Sequence, residues 1–375
     1  MTSKSSYCPI PFIHQFISTD GISYCCASER KKDINLDEFE TSEYLAKVRE
    51  DITTGKIPDG CQNCHNQEKM GITSLRMSAI AEYGFDTFGP PISYLDLRYN
   101  NLCNLGCRMC GPEFSSTWEK QTNEHQELRQ FLASPTRVEY DQILEHVEKN
   151  IHNLKKINFT GGEPLLIKEH LDVIRLLVKY GKTKEIGIAT TSNLSVTNSQ
   201  WFQLLSDFQD VHWTISLDGI ENVAEYIRWP CQWKVIDENI KKLLKFNNNS
   251  IHINATLSIY ALLDLSNLVR YYLYLKKNIR GDGYFSFTVG TCDYPKHLSM
   301  NAIPMEFREK IHNELLKARD LLENDPDSKS AYDTFNGLIN YKNHPNDLLI
   351  KQFWSYTNTL DKIRNQNFNS TFKAA

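Results

Sequence analysis

Short apolar runs alternate along this chain with longer stretches in which apolar positions recur every three or four residues. From Ile92 onward, ISYLDLRY (92–99), KINFT (156–160), IGIATT (186–191), VHWTISL (211–217), IHINATL (251–257) and YFSFTV (284–289) predict six strands. Between them lie helical patterns such as LLIKEHLDVIRLLVKYG, in which Leu166, His170, Val173, Ile174 and Leu177 share one face and Gly181 offers a C-terminal stop. Strands that alternate with helices in this way point to βα units on a parallel sheet, joined by right-handed crossovers. Six units are too few to close an eight-stranded barrel. The expectation is therefore an α/β fold, an open, partial (β/α)6 barrel, with its chemistry at the carboxyl ends of the strands.

The first 92 residues read differently. FIHQFIST and ISYCC flank Asp20-Gly21, a hairpin turn, and a helical segment follows from about Ser42 to Thr54. After about residue 303 the chain becomes polar and helical, with MEFREKIHNELLKARDLLEN the clearest amphipathic stretch, and the Asn-rich tail NQNFNSTFKAA is expected to be partly disordered. The expected division is thus a small α+β module over 1–92, the partial barrel over 93–300 and a helical C-terminal extension over 301–375.

Composition narrows the function. At 375 residues, 41% hydrophobic and 23% charged, the chain is long enough for one large domain with small attachments. A net charge of -4, from 42 basic and 46 acidic residues, builds in no strong field for nucleic acid or an anionic membrane. MTSKSSYCPIPF lacks the apolar run of a signal peptide, and no stretch approaches the roughly 18 apolar residues of a membrane span. These features lead us to expect a soluble cytoplasmic protein without a membrane or nucleic-acid partner.

Ten cysteines change the picture, because eight of them fall into two groups: Cys8, Cys25, Cys26, Cys61 and Cys64, then Cys103, Cys107 and Cys110. In a reducing compartment such grouping points to metal or catalysis rather than to disulfides. LRYNNLCNLGCRMCGP, directly after the first barrel strand, sets Cys103, Cys107 and Cys110 at C-x3-C-x2-C. A structural zinc wants four protein ligands, and a fourth is not close in sequence. A four-iron, four-sulfur (4Fe-4S) cluster with one iron left open explains three thiolates better. INFTGGEPLL adds Gly161 and Gly162 at a strand end, where paired glycines admit a ligand close to the backbone, and Glu163, whose carboxylate can accept a hydrogen bond from an amino group.

In the order of these motifs the span from about 93 to 300 resembles the radical S-adenosylmethionine superfamily. The resemblance implies that Cys103, Cys107 and Cys110 hold the cluster, that its open iron takes the amino and carboxylate groups of S-adenosylmethionine, and that Gly161, Gly162 and Glu163 flank the methionyl amino group. TTSN (190–193) is similar to a strand motif of the family that usually ends in Asn-Gly; here Leu194 follows Asn193. SLDG (216–219) resembles the next one, implying that Ser216 contacts the cofactor's ribose or carboxylate, with Asp218 close by. Arg228 looks like an arginine that pairs with the cofactor carboxylate.

CPIPF, DGISYCC and CQNC resemble the auxiliary-cluster pattern of twitch or SPASM modules. That resemblance implies a second 4Fe-4S cluster on Cys8, Cys26, Cys61 and Cys64, with Cys25 as the substitute for Cys26. The activity implied is reductive cleavage of S-adenosylmethionine to a 5'-deoxyadenosyl radical that abstracts hydrogen from a substrate, fed by a low-potential electron donor. No catalytic side chain is assigned. A peptide or protein is the substrate class slightly preferred, with radical oxidation of a sugar or nucleotide as the alternative. A non-catalytic zinc or iron-sulfur structural or electron-carrier protein is the reading from another class. Cys231 and Cys292 are expected to be packing thiols, His14 and His65 exposed, and the tyrosines of VRYYLYLKK core and rim.

Overall fold

A computed structural model of the chain describes residues 6–69, 71–85, 91–132, 138, 140, 142–245, 249–278, 284–341 and 345–372. Eight strands form one mixed sheet: β1 (His14–Ser18), β2 (Gly21–Ser23), β3 (Tyr94–Leu97), β4 (Lys156–Phe159), β5 (Gly187–Ser192), β6 (Val211–Ser216), β7 (Asn249–Leu257) and β8 (Phe285–Thr291), in the order β2-β1-β3-β4-β5-β6-β7-β8. Strands β3 to β8 correspond to the six runs read from sequence. The order is open, as a partial barrel requires.

The N-terminal hairpin supplies the other two strands. Its antiparallel register pairs Phe16 with Ser23 and Ser18 with Gly21. Gly21 has φ +129°, and a Cβ there would meet the Lys31 carbonyl oxygen at 2.7 Å, so only glycine fits this turn. β1 then runs parallel to β3, from His14 opposite Tyr94 to Ile17 opposite Leu97. Every residue of HQFIS is buried, polar ones included, so no alternation marks this strand. Two of its buried polar side chains are satisfied: His14 Nδ1 shares a hydrogen bond with the Tyr24 carbonyl at 2.8 Å, and Gln15 Nε2 donates to the Leu36 carbonyl at 3.2 Å. His14 and His65 are both buried, correcting the expectation that they are exposed.

Two compact units divide the chain. The first comprises Met1–Asn100, Thr136–Thr190 and Ser199–Val211. Here β3 pairs parallel with β4, and β4 with β5. The helix Lys168–Lys179 buries His170, Leu171, Val173, Ile174, Leu176 and Leu177 and stops before Gly181 at φ +68°, as its periodicity predicts.

The second unit comprises Asn101–Pro135, Thr191–Asn198 and His212–Ala375. β7 and β8 pair parallel from Ile251 opposite Phe285 to Leu257 opposite Thr291. Its C-terminal part is helical over Arg308–Leu322, Lys329–Asn340 and Asp347–Arg364. The Asn-rich tail departs from expectation, because Phe368–Phe372 forms a short helix. Phe372 packs at 5.3 Å from the Tyr226 ring and 6.3 Å from the Tyr260 ring, and two buried aromatics order a segment whose composition alone looks unstructured. The last three residues of that tail lie outside the described residues. No helix among the described residues is long and apolar enough to cross a membrane.

Candidate active site

The cysteine loop is built on the start of a helix. Ser115 caps Ser116–Glu124 by accepting from the Trp118 amide at 3.2 Å, and the same hydroxyl donates to the Leu105 carbonyl at 2.7 Å. Thr117 Oγ1 donates to the Cys103 carbonyl at 2.8 Å, and Trp118 Nε1 to that of Cys107 at 2.8 Å. From the other side, the Gly106 amide donates to the Trp229 carbonyl at 2.6 Å and the Arg108 amide to that of Ile227 at 2.8 Å. Backbone polar groups of an irregular loop are thereby paired, which fixes a segment that has no regular structure of its own.

All three thiols are partly exposed. Burial raises Cys107, and the charges of Arg228 and Arg364 oppose that rise. Burial also raises Cys110, and its neighbours Cys107 and Cys103 push it further. The three therefore lie within one another's field. Among the described residues no three His, Cys, Asp or Glu side chains converge as a single-ion site. Cluster thiolates each bind a different iron and surround the group rather than meet at a point. Three soft donors on a stitched loop, with cationic side chains beside them, fit an anionic iron-sulfur cluster better than a four-ligand zinc.

Asn193 and the Asp218-Arg228 pair join this loop within the same unit. Asn193 is buried, with Nδ2 4.0 Å from Cys103 Sγ and 3.5 Å from Asn104 Oδ1, while its Oδ1 accepts from the Ser195 amide at 2.8 Å. Leu194 stands at φ +50°, so the backbone keeps the left-handed turn that glycine would adopt more cheaply. Its amide donates to Ser192 Oγ at 3.0 Å and its carbonyl accepts from Asn239 Nδ2 at 2.9 Å, which holds the turn. Asp218 accepts from the Thr256 amide at 2.7 Å and pairs with Arg228 at 2.6 Å. Arg228 Nη1 also lies 3.8 Å from Cys107 Sγ. Both are buried, so neither is a solvated surface charge. Ser216 ends β6, half-buried, two residues before Asp218.

Sequence reasoning missed two further arginines. Arg108, between Cys107 and Cys110, is fully buried, with its guanidinium 3.6 Å from the Tyr226 ring centroid and 2.5 Å from Asp361. Arg364 lies 4.6 Å over Trp118 and 4.9 Å from Trp229. A charged residue inside the cysteine spacing was the visible signal for Arg108. For Arg364 nothing in its local sequence points to the loop.

The first unit holds the remaining positions. Gly161 has φ +132°, and a Cβ there would meet the Asn100 carbonyl oxygen and Ile167 Cδ1 at 3.0 Å. The Gly162 amide reaches the same Asn100 carbonyl at 3.3 Å. Glu163 is buried, and its Oε1 accepts from the Leu165 amide at 3.2 Å, capping the turn Pro164–Leu166. Among the N-terminal cysteines, Cys61 Sγ lies 3.6 Å from Tyr24 Oη. Burial pushes Cys8 up to about 12, with Cys61 and Cys64 adding to the rise. Cys25 is raised, first by its hydrogen bond with Cys26 and then by burial, with Cys8 a small addition, and Cys26 is lowered first by that same hydrogen bond.

Residues 97–263 match the family model described as the Radical SAM superfamily. This segment holds Cys103, Cys107, Cys110, Gly161 to Glu163, Asn193, Ser216, Asp218 and Arg228. The match covers less than half of the chain, and the family it points to implies a 4Fe-4S cluster and S-adenosylmethionine. Relatives include a GTP 3',8-cyclase of Aliarcobacter butzleri, 33% identical over 110 residues that make up 29% of each chain. A GTP 3',8-cyclase of Listeria welshimeri is 26% identical over 189 residues, 44% of this chain and 53% of that one. The chain thus spans between about a third and about half the length of the curated relatives it matches. Among solved structures, Streptococcus suis SuiB overlays with a TM-score of 0.43 at 12% identity, covering 83% of this chain and 68% of that one.

Proposed function

We propose that this chain is a radical enzyme that reductively cleaves S-adenosylmethionine at a 4Fe-4S cluster held by Cys103, Cys107 and Cys110. The observation that carries this reading is the loop of three thiols, pinned to a capped helix, with Asn193 at Cys103 and Arg228 at Cys107. When bound, the cluster would supply the electron that breaks the sulfonium bond and so start hydrogen abstraction from substrate. The chain's own residues bind and orient. Arg228, already held by Asp218, is suited to a carboxylate, and Asn193 and Ser216 supply polar groups for the rest of the cofactor. By the family resemblance alone, Gly161, Gly162 and Glu163 would flank the methionyl amino group.

Cys8, Cys61 and Cys64, with Cys26 or its neighbour Cys25, are proposed to hold a second 4Fe-4S cluster. The mutual influence of Cys8, Cys61 and Cys64 supports this grouping. For substrate, relatives named for GTP favour a nucleotide as the first class to test, ahead of the peptide preferred from sequence.

The experiment is anaerobic reconstitution with iron and sulfide, metal counting, and assay for 5'-deoxyadenosine with and without GTP or a peptide pool, comparing the wild type with Cys107→Ala. About eight irons per chain and product that disappears in the variant are expected, since each cluster carries about four irons. Stoichiometric zinc and no 5'-deoxyadenosine would sink the reading in favour of a structural metal protein.

A further inference from the structure

Three buried arginines approach the cysteine loop within the second unit, and their charges are not matched alike. Arg108 is paired with Asp361, 253 positions away in the chain, and Arg228 with Asp218. Arg364 has no carboxylate partner among the described residues. It ends the helix Asp347–Arg364 and is only 6% exposed. Nη2 donates to Gln121 Oε1 at 2.8 Å, while Nε and Nη1 are buried without a hydrogen-bond acceptor among the described residues. The Trp118 and Trp229 rings flank it and give back part of the lost hydration through their faces. A guanidinium without an anion in such a place is costly unless a negative charge arrives.

The loop is where that charge would come from. A Cβ on Gly106 would sit 3.0 Å from Arg364 Nη2, so the guanidinium lies directly against the residue before Cys107. Trp118 connects the same two points, with Arg364 over its ring and its Nε1 donating to the Cys107 carbonyl. We propose that Arg364 is a positioning residue for the cluster loop: its unmatched guanidinium is the counter-charge to thiolate-bound iron at Cys103, Cys107 and Cys110, and it ties the C-terminal helix to the loaded loop. This rests on the reading of those cysteines as cluster ligands. A buried positive charge beside a cluster favours the reduced, more negative state and so raises its potential. It also makes the iron-free protein carry an unpaired charge that the loaded protein does not.

Two readouts separate these effects from ordinary packing. The wild type, Arg364→Met, Arg364→Gln and Arg364→Lys are reconstituted, and the midpoint potential is followed by redox titration of the paramagnetic signal that S-adenosylmethionine perturbs. The iron-free forms are melted in parallel. The expected result is a shift to more negative potential in both neutral variants, a potential close to wild type in Arg364→Lys, and an iron-free melting temperature in Arg364→Met at or above that of the wild type. An unchanged potential in the neutral variants overturns the proposal. So does collapse of both neutral iron-free proteins while Arg364→Lys folds, because the charge would then stabilise the protein without a cluster. A wild type with no signal sensitive to S-adenosylmethionine overturns the underlying reading of the cysteines instead, and is told apart because it precedes any comparison of variants.

Discussion

The two cysteine groups, one in each unit, are held in different ways. Cys103, Cys107 and Cys110 lie within eight positions; the Cys103 and Cys107 carbonyls accept from a helix start, and the intervening Gly106 and Arg108 amides donate to Trp229 and Ile227. The N-terminal thiols are drawn from positions 8 to 64 and depend on tertiary packing, with Tyr24 at Cys61 and a burial-raised Cys8. Arginines act on both groups, Arg228 and Arg364 on Cys107 and Arg76 on Cys8 and Cys61. What differs is the scaffold: the first group hangs on one loop bonded to a helix start, whereas the second is assembled from distant segments, with the Tyr24 hydroxyl 3.6 Å from Cys61 Sγ.

The largest expected effect breaks that comparison directly. Cys107→Ala should lose about four irons and lower 5'-deoxyadenosine formation at least a hundredfold. Cys61→Ala with Cys64→Ala should also lose about four irons, yet leave cofactor cleavage within about tenfold of wild type while product from substrate falls much further. Parallel metal counts and product assays decide it; equal loss of cofactor cleavage in both would mean that the two groups do not divide the labour.

Next come the ion pairs that steady each region. Asp361→Ala strands the fully buried Arg108 and also removes the acceptor of Tyr226 Oη at 2.8 Å and of the Phe368 amide at 2.7 Å. A loss of about 3–5 kcal/mol is expected, the usual cost of breaking a buried pair from one side. Glu68→Ala in the N-terminal region removes the partner of Arg76 and Ser74, both side chains of that pair being slightly exposed, and should cost about 2 kcal/mol. Denaturant melts of the two variants give the ranking, and a larger loss for Glu68→Ala would reverse the view of which region is more tightly built.

How far these regions could be read in advance follows the same division. Periodicity located β3 to β8 and the helix Lys168–Lys179, because buried parallel strands are apolar runs and the helix carries one apolar face. The cysteine spacing located the loop. β1 was legible only as a hairpin arm, since its polar residues are buried too, His14 and Gln15 with hydrogen bonds that no pattern announces. Arg108 and Arg364 were missed for a related reason. Lone charges read as surface, and what buries these two is an aspartate and a pair of tryptophans far away in sequence. The tail was misread because Asn-rich composition outweighed its two phenylalanines, whose pockets belong to Tyr226 and Tyr260.

Each unit also contains a histidine that burial keeps neutral, and acid should test both. His170, beside Phe159 and Trp201, is lowered to about 3, and His297, beside Tyr356, to about 4. A folded value below the unfolded one means that the unfolded chain binds the extra proton. The stability each neutral ring contributes is therefore present above about pH 6.5 and lost as pH falls from there toward the folded value. Between pH 7.5 and 5 each should cost about 2 kcal/mol. His297→Phe and His170→Leu should each flatten the acid limb of the stability curve by that amount, whatever they do at neutral pH; an unaltered slope in either would show that its ring is reached by protons without unfolding.

The smallest effect compares two serine caps. Ser42 caps the helix Glu43–Thr53 through the Leu45 amide at 3.2 Å and donates to the Phe39 carbonyl, and Ser115 caps Ser116–Glu124 through the Trp118 amide. Alanine at either should cost about 1 kcal/mol, since each loses one cap and one side-chain donor. Only Ser115, however, gives its proton to Leu105, inside the cysteine loop. Ser115→Ala should therefore release iron from the reconstituted protein to a chelator several times faster than Ser42→Ala at matched stability. Equal release rates would mean that the loop is held by its arginines and its other backbone bonds, and that the helix start adds nothing beyond its own stability.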